Sequence, residues 1–141
     1  MKVCGVEFKA NDAVISVVED NQGMFNLPEV RVSRVALDSA EDGEALQKFQ
    51  FTFAKLMQDY HIENVVIKAR PMKGKFSGSA VSFKMEAAIQ LIENLNIELM
   101  ASNEIKAVMK KNPLPIDFKE TGLKVFQEGA FTVAYAYLMQ K

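Results

Sequence analysis

Between Asn64 and Met85 the chain carries Lys68, Arg70, Lys73, Lys75 and Lys84 and no acid, although its overall formal charge is −1. Cations grouped this way suit phosphate, and the segment reads as a strand, a glycine-containing loop and a helix start. Folds with parallel strands bind phosphate-bearing ligands at such junctions. Gly74 and Gly78 free the backbone to wrap an anion, and the Ser77 and Ser79 hydroxyls stand beside the N–H donors of the following helix. Phe76, between Lys75 and Ser77, could stack on a base. The loop is not a Walker A motif, because GxxxxGK[ST] is absent. The plain alternative is a solvated basic loop.

Composition narrows the classes. A chain of 141 residues, half of them apolar, has the size and content of one globular domain spanning 1–141. No apolar run reaches the roughly 20 residues that span a bilayer, and the N-terminus MKVCGVEF lacks the apolar core of a signal peptide. A cytoplasmic protein without a membrane partner is expected. With one cysteine and one histidine, neither an internal disulfide nor a structural zinc site can form, and no cofactor is implied. Cys4 reads as an inert buried thiol and His61 as a surface or cap residue. No base stands ready to activate Ser77 or Ser79 as a nucleophile. The near-neutral balance restricts any basic site to one locality.

The elements that must position these residues follow from periodicity. Lys2–Phe8 is apolar on both faces, as a central strand is, and a short turn leads to a second strand, Ala13–Val18. Val30–Ala36, with Arg31 and Arg34, reads as an edge strand. Ser39 is the expected N-cap of a helix running to about Tyr60, with Leu46, Phe49, Phe53 and Met57 on its stripe. Asn64–Ala69 is a fourth, central strand, followed by a helix over about Ser79–Asn94 and an edge strand at Ile97–Ala101. Ser102 caps a short helix stopped by Pro113, and Leu123, Phe126, Ala130, Val133 and Tyr137 mark the last helix. Gly129 inside that helix costs about 1 kcal/mol against alanine, which implies close packing there. Three antiparallel strands followed by helical crossovers give an α/β fold with a five-stranded mixed sheet, order 3-2-1-4-5, and helices on both faces.

That order is the ribonuclease-H-like one, and particular segments resemble its RuvC-like branch. GVEFKANDAVISVV resembles the first hairpin of those resolvases, in which a Gly-hydrophobic-Asp triplet ends the first strand; here the triplet is Gly5, Val6, Glu7. VVIKARP resembles the family strand that ends in a metal-binding glutamate, with Lys68 at that position. QEGAFTVAYAYL resembles the alanine-rich helix that carries the final acids, where Glu128 could serve and Phe131 or Thr132 stands a turn later. The whole chain also resembles a small gammaproteobacterial family described only as a domain of unknown function. The resemblance implies two-metal phosphodiester hydrolysis, which needs converging carboxylates, yet a lysine holds one of the ligand positions.

The leading expectation is therefore a non-catalytic binding protein that takes nucleic acid or a phosphorylated ligand through Lys68, Arg70, Lys73, Lys75, Ser77, Ser79 and Lys84. A divergent Mg²⁺-dependent nuclease using Glu7 and Glu128 is the alternative, and a protein-interaction module or homo-oligomer is the third reading. Glu7 and Lys68 are expected to pair across neighbouring strand ends, since an unpartnered buried charge is costly.

Overall fold

The computed structural model describes every residue except Phe76 and Lys141. Strand β1 (Lys2–Lys9) turns through Ala10, which adopts a left-handed φ of 51°, into antiparallel β2 (Asp12–Asn21). On its other side β1 pairs in parallel with β5 (Asn64–Lys68), which in turn pairs in parallel with β6 (Asn96–Met100). The order is the expected one, with one correction.

The third strand is broken in two. β3 (Met24–Asn26) pairs with the end of β2, and β4 (Arg34–Ala36) pairs with its beginning. Glu19 faces Asn26 in β3 whereas Ala13 faces Val35 in β4, so the connection holds three more residues than a continuous strand would. Extending the β3 register sets Pro28 opposite Val17, and a proline has no N–H to give the ladder. The edge therefore leaves β2 at Val17 and rejoins it at Ile15, whose N–H donates to the Ser33 carbonyl at 2.9 Å.

Because side chains alternate along β1, each face of the sheet receives its own core. Cys4, Val6 and Phe8 pack with Ile15, Val17, Val65 and Ile67 against α1 (Gly43–Asp59) and α2 (Ala80–Gln90). Val3, Val18 and Val66 pack against α3 (Ser102–Lys111) and α4 (Glu128–Gln140). Helix α4 presses closest at Gly5, where an added Cβ would overlap the Ala130 carbonyl oxygen. Glycine is required there by contact between two backbones.

Three helix starts differ from expectation. Asp42, not Ser39, caps α1, its carboxylate accepting the Glu44 N–H at 3.0 Å. Ser102 is the first residue of α3 rather than its cap, and the cap position is held by Ala101, which makes no side-chain bond. Helix α4 begins at Glu128, so Leu123 and Phe126 lie ahead of it, Phe126 in the 3₁₀ turn Val125–Gln127. Among the described residues no helix is long and apolar enough to cross a membrane.

Candidate functional site

The parallel strands β1, β5 and β6 end together, and the chain turns away from that edge into loops. Val6 pairs with Ile67, so Glu7 and Lys68 come next to each other one step further on. Lys68 Nζ lies 3.2 Å from Glu7 Oε2, and Lys9 Nζ lies 3.7 Å from Oε1. Both side chains are largely sheltered, with 17 % of Glu7 and 34 % of Lys68 exposed. Glu7 lies flat against α4: a Cβ at Gly129 would overlap its Oε1, which explains the close packing expected of that glycine.

Around this pair opens a cleft of about 710 Å³, closed on one side by Arg70 and Pro71 and on the other by Ser102, Asn103 and Lys106 of α3. A second hollow of about 470 Å³ continues from Glu7 and Lys68 toward Val125, Glu128 and Thr132. Besides Arg70, three cations line the two hollows, Lys68 and Lys106 in the cleft and Lys9 with Lys68 in the second, against Glu7 and the exposed Glu128. Among the described residues no group of three or more His, Cys, Asp or Glu side chains stands close enough together to hold a metal.

The family model described as "Protein of unknown function (DUF3010)" matches residues 1–137. The chain belongs to the DUF3010 family. No curated protein matches it. Among solved structures it is similar to Thermus thermophilus RuvC, at a TM-score of 0.73 and 12 % identity, covering 99 % of this chain and 94 % of that one. It is also similar to the T. thermophilus RuvC complex with Holliday junction substrate, at TM-score 0.67, 13 % identity and 99 % and 93 % coverage. The Fowlpox virus resolvase complex with Holliday junction DNA matches at TM-score 0.54, 11 % identity and 99 % and 97 % coverage. At these identities the likeness establishes the fold: this DUF3010 chain has the RuvC-like, ribonuclease-H-like architecture.

The residues anticipated at the basic loop of the DUF3010 chain do not converge. Arg70 turns inward. Its guanidinium donates to Glu86 Oε1 at 3.0 Å, Ser82 Oγ at 3.2 Å and the Lys68 carbonyl at 3.2 Å, between the Phe8 and Phe83 rings at 4.7 and 4.6 Å. Gly78 makes room for it, since a Cβ there would stand 2.9 Å from Nε. Arg70 is thus a strut between β5 and α2, its charge met by Glu86. Lys84 lies toward α1, where Nζ donates to the Ala40 carbonyl at 2.7 Å. Ser79 is the N-cap of α2, its Oγ accepting the Ser82 N–H at 3.1 Å.

The loop itself is closed by two backbone bonds, Ser77 N–H to Gly74 carbonyl at 3.2 Å and Gly78 N–H to Pro71 carbonyl at 2.9 Å, with Gly74 at a φ of 97°. Lys73 and Lys75 are exposed on it. Phe76, the anticipated stacking residue, lies outside the described residues. Cys4 is buried, and desolvation pushes its thiol pKa up. His61 occupies the left-handed turn after α1, at the opposite end of β1 beside Lys2 and Glu19.

Two cleft residues escaped the sequence reading. Lys9 carried a signal, since it follows Glu7 by two positions and so shares its face of the strand. Lys106 carried a fainter one: α3 directly follows a strand parallel to β5, so its first turns must lie at the shared strand end.

Proposed function

We propose that this protein is a non-catalytic binding protein, cytoplasmic in setting, whose strand-end cleft takes the phosphate backbone of nucleic acid. The observation that carries the reading is Lys68 Nζ standing 3.2 Å from Glu7 Oε2. Metal-assisted phosphodiester hydrolysis needs carboxylates to converge on the ions, and an ammonium ion in their midst repels Mg²⁺. The same ammonium attracts a phosphate. Lys106 joins it in the cleft and Lys9 in the adjoining hollow, and Lys73 and Lys75 extend the positive surface along the neighbouring loop. The fold supports the choice of polyanion, because two of the similar structures are complexes with Holliday junction DNA.

Backbone contacts of this kind carry little base information, so sequence preference is slight. If three or four lysines meet phosphates, log K falls against log salt with a slope of about −2 to −4. The test measures binding of single-stranded, duplex and branched DNA across a salt series, and cleavage with Mg²⁺ or Mn²⁺. Salt-dependent binding without cleavage is expected. Absence of binding at about 50 mM salt removes the reading, leaving a small phosphorylated ligand or a protein partner. Cleavage abolished by Glu7→Gln would replace it with a divergent nuclease in which Glu128, across the hollow from Glu7, supplies the second acid.

A further inference from the structure

The break in the edge strand leaves one rung of the sheet without a partner. Ile15 and Val17 turn their backbone groups toward that edge, as the Ile15 N–H bond to Ser33 shows and the alternation of an antiparallel ladder requires. The Ile15 carbonyl is met by a side chain: Gln127 Nε2 donates to it at 2.9 Å, while Gln127 Oε1 accepts the Lys124 N–H at 3.0 Å. Gln127 is itself buried, 8 % exposed. Val17 has no such substitute. Among the described residues no backbone group bonds to its outward N–H or carbonyl, and the β3 register, if continued, would set Pro28, which has no N–H, opposite it.

Beside it, Ser16 is 3 % exposed and its buried Oγ has no hydrogen-bond partner among the described residues. These groups line a cavity of about 500 Å³ walled by Leu27, Pro28, Leu123 and Lys124. No residue lines both this cavity and the strand-end cleft. Buried polar groups are nearly always satisfied, and a cavity of this size holds a small ring compound.

We propose that this cavity is a binding site for a small cyclic imide or lactam, whose adjacent carbonyl and N–H complete the missing rung at Val17. The N–H and carbonyl of one extended residue leave the strand edge in the same direction. A cis-amide ring presents its carbonyl and N–H in the same direction too, so the two edges match as donor to acceptor and acceptor to donor. A single trans amide points them oppositely and cannot bridge both. A partner strand is also excluded by length, because β3 and β4 already pair with β2 on either side. The Ser16 hydroxyl supplies a further donor, which selects an imide, with its second carbonyl, over a simple lactam.

The experiment titrates the ¹⁵N-labelled chain with uracil and, separately, with 1,3-dimethyluracil, which keeps the ring and loses the N–H. Uracil is expected to shift the Val17 and Ser16 amides and the Gln127 side-chain amide saturably, with Kd about 1 mM or tighter, while the dimethylated ring leaves them unmoved. Ser16→Ala, which removes only the hydroxyl, is expected to weaken binding roughly tenfold, the loss of about one hydrogen bond. A uridine-containing single strand tests the source: the same shifts assign the base to a polymer, and shifts with uracil alone assign it to a free compound. No saturable shift at Val17, or an equal response to both rings, overturns the proposal. The ring comparison uses the unaltered chain, so it decides even if Ser16→Ala fails to fold.

Discussion

Gly129 and Glu7 touch so closely that the helix has no room for even a methyl group between them. The glycine lets α4 lie against the β1 end, and the carboxylate fills the space a side chain would take, directing Oε2 toward Lys68. Gly129→Ala should therefore destabilise the protein by about 1–3 kcal/mol, despite the better helix propensity of alanine. Removing the obstruction should undo much of the damage, so Gly129→Ala with Glu7→Ala should be more stable than the two single losses add up to. Denaturant titrations of the four proteins measure the coupling, and strict additivity would show that the contact is slack.

Lys68→Glu sets two carboxylates side by side at the strand ends. Like charges at that range disfavour ionisation of both, so the variant should be less stable at neutral pH, and Mg²⁺ or Ca²⁺ should restore part of the loss. The Tm of the unaltered protein should not respond to either ion. A metal-independent Tm in the variant would mean that Glu7 and the new acid are not brought together.

Arg70→Ala should cost about 2–3 kcal/mol, because it leaves the largely buried Glu86 without its partner. Arg70→Lys should recover little of this, since an ammonium cannot stack flat between Phe8 and Phe83 while meeting Glu86 and Ser82. Full recovery by lysine would show that charge alone is needed there.

The cations should sort by place in a salt series. Lys9→Ala and Lys106→Ala should each flatten the binding slope by roughly 1, and Lys73→Ala with Lys75→Ala by about 1–2. Lys84→Ala should leave the slope unchanged, because its ammonium lies toward α1. A reversed pattern would move the interface to the α1–α2 side.

Asp59 ties the bulged edge to α1, accepting from Lys55 at 3.0 Å and from Arg31 at 2.8 Å. These bonds, Lys55 first, hold its pKa below the usual 3.8. A group depressed in the folded state contributes stability above its unfolded pKa and loses it as pH falls through the folded one. The Tm gap between the unaltered protein and Asp59→Asn should therefore be widest near neutrality and close in acid. A gap independent of pH would assign the loss to geometry instead.

The strand order could be read from the sequence because connections allow few alternatives: a short turn after Phe8 forces a hairpin, and helices between later strands force parallel pairing. The break at Pro28 could not, since Val30–Ala36 has a strand's composition and its departure from β2 depends on register. Charge type likewise says nothing of direction. Arg70, Lys73 and Lys84 look alike in the chain, yet one is stacked between rings, one is on an open loop and one faces another helix. Lys106 became part of the cleft because α3 starts where β6 ends beside β5, a placement set by strand pairing and not by any local pattern.

Helix α4 lies on β1 and β2, and its tightest contact joins Gly5 to Ala130, across nearly the full sequence. Such a contact forms only after a very long loop closes, and chains dominated by distant pairings fold slowly. During synthesis the β1–β2 hairpin would emerge with its Val3 and Val18 face bare, and it stays bare until residue 140 is made. This half of the molecule is where newly made chains should depend on chaperones, and where heat should first expose a sticky surface.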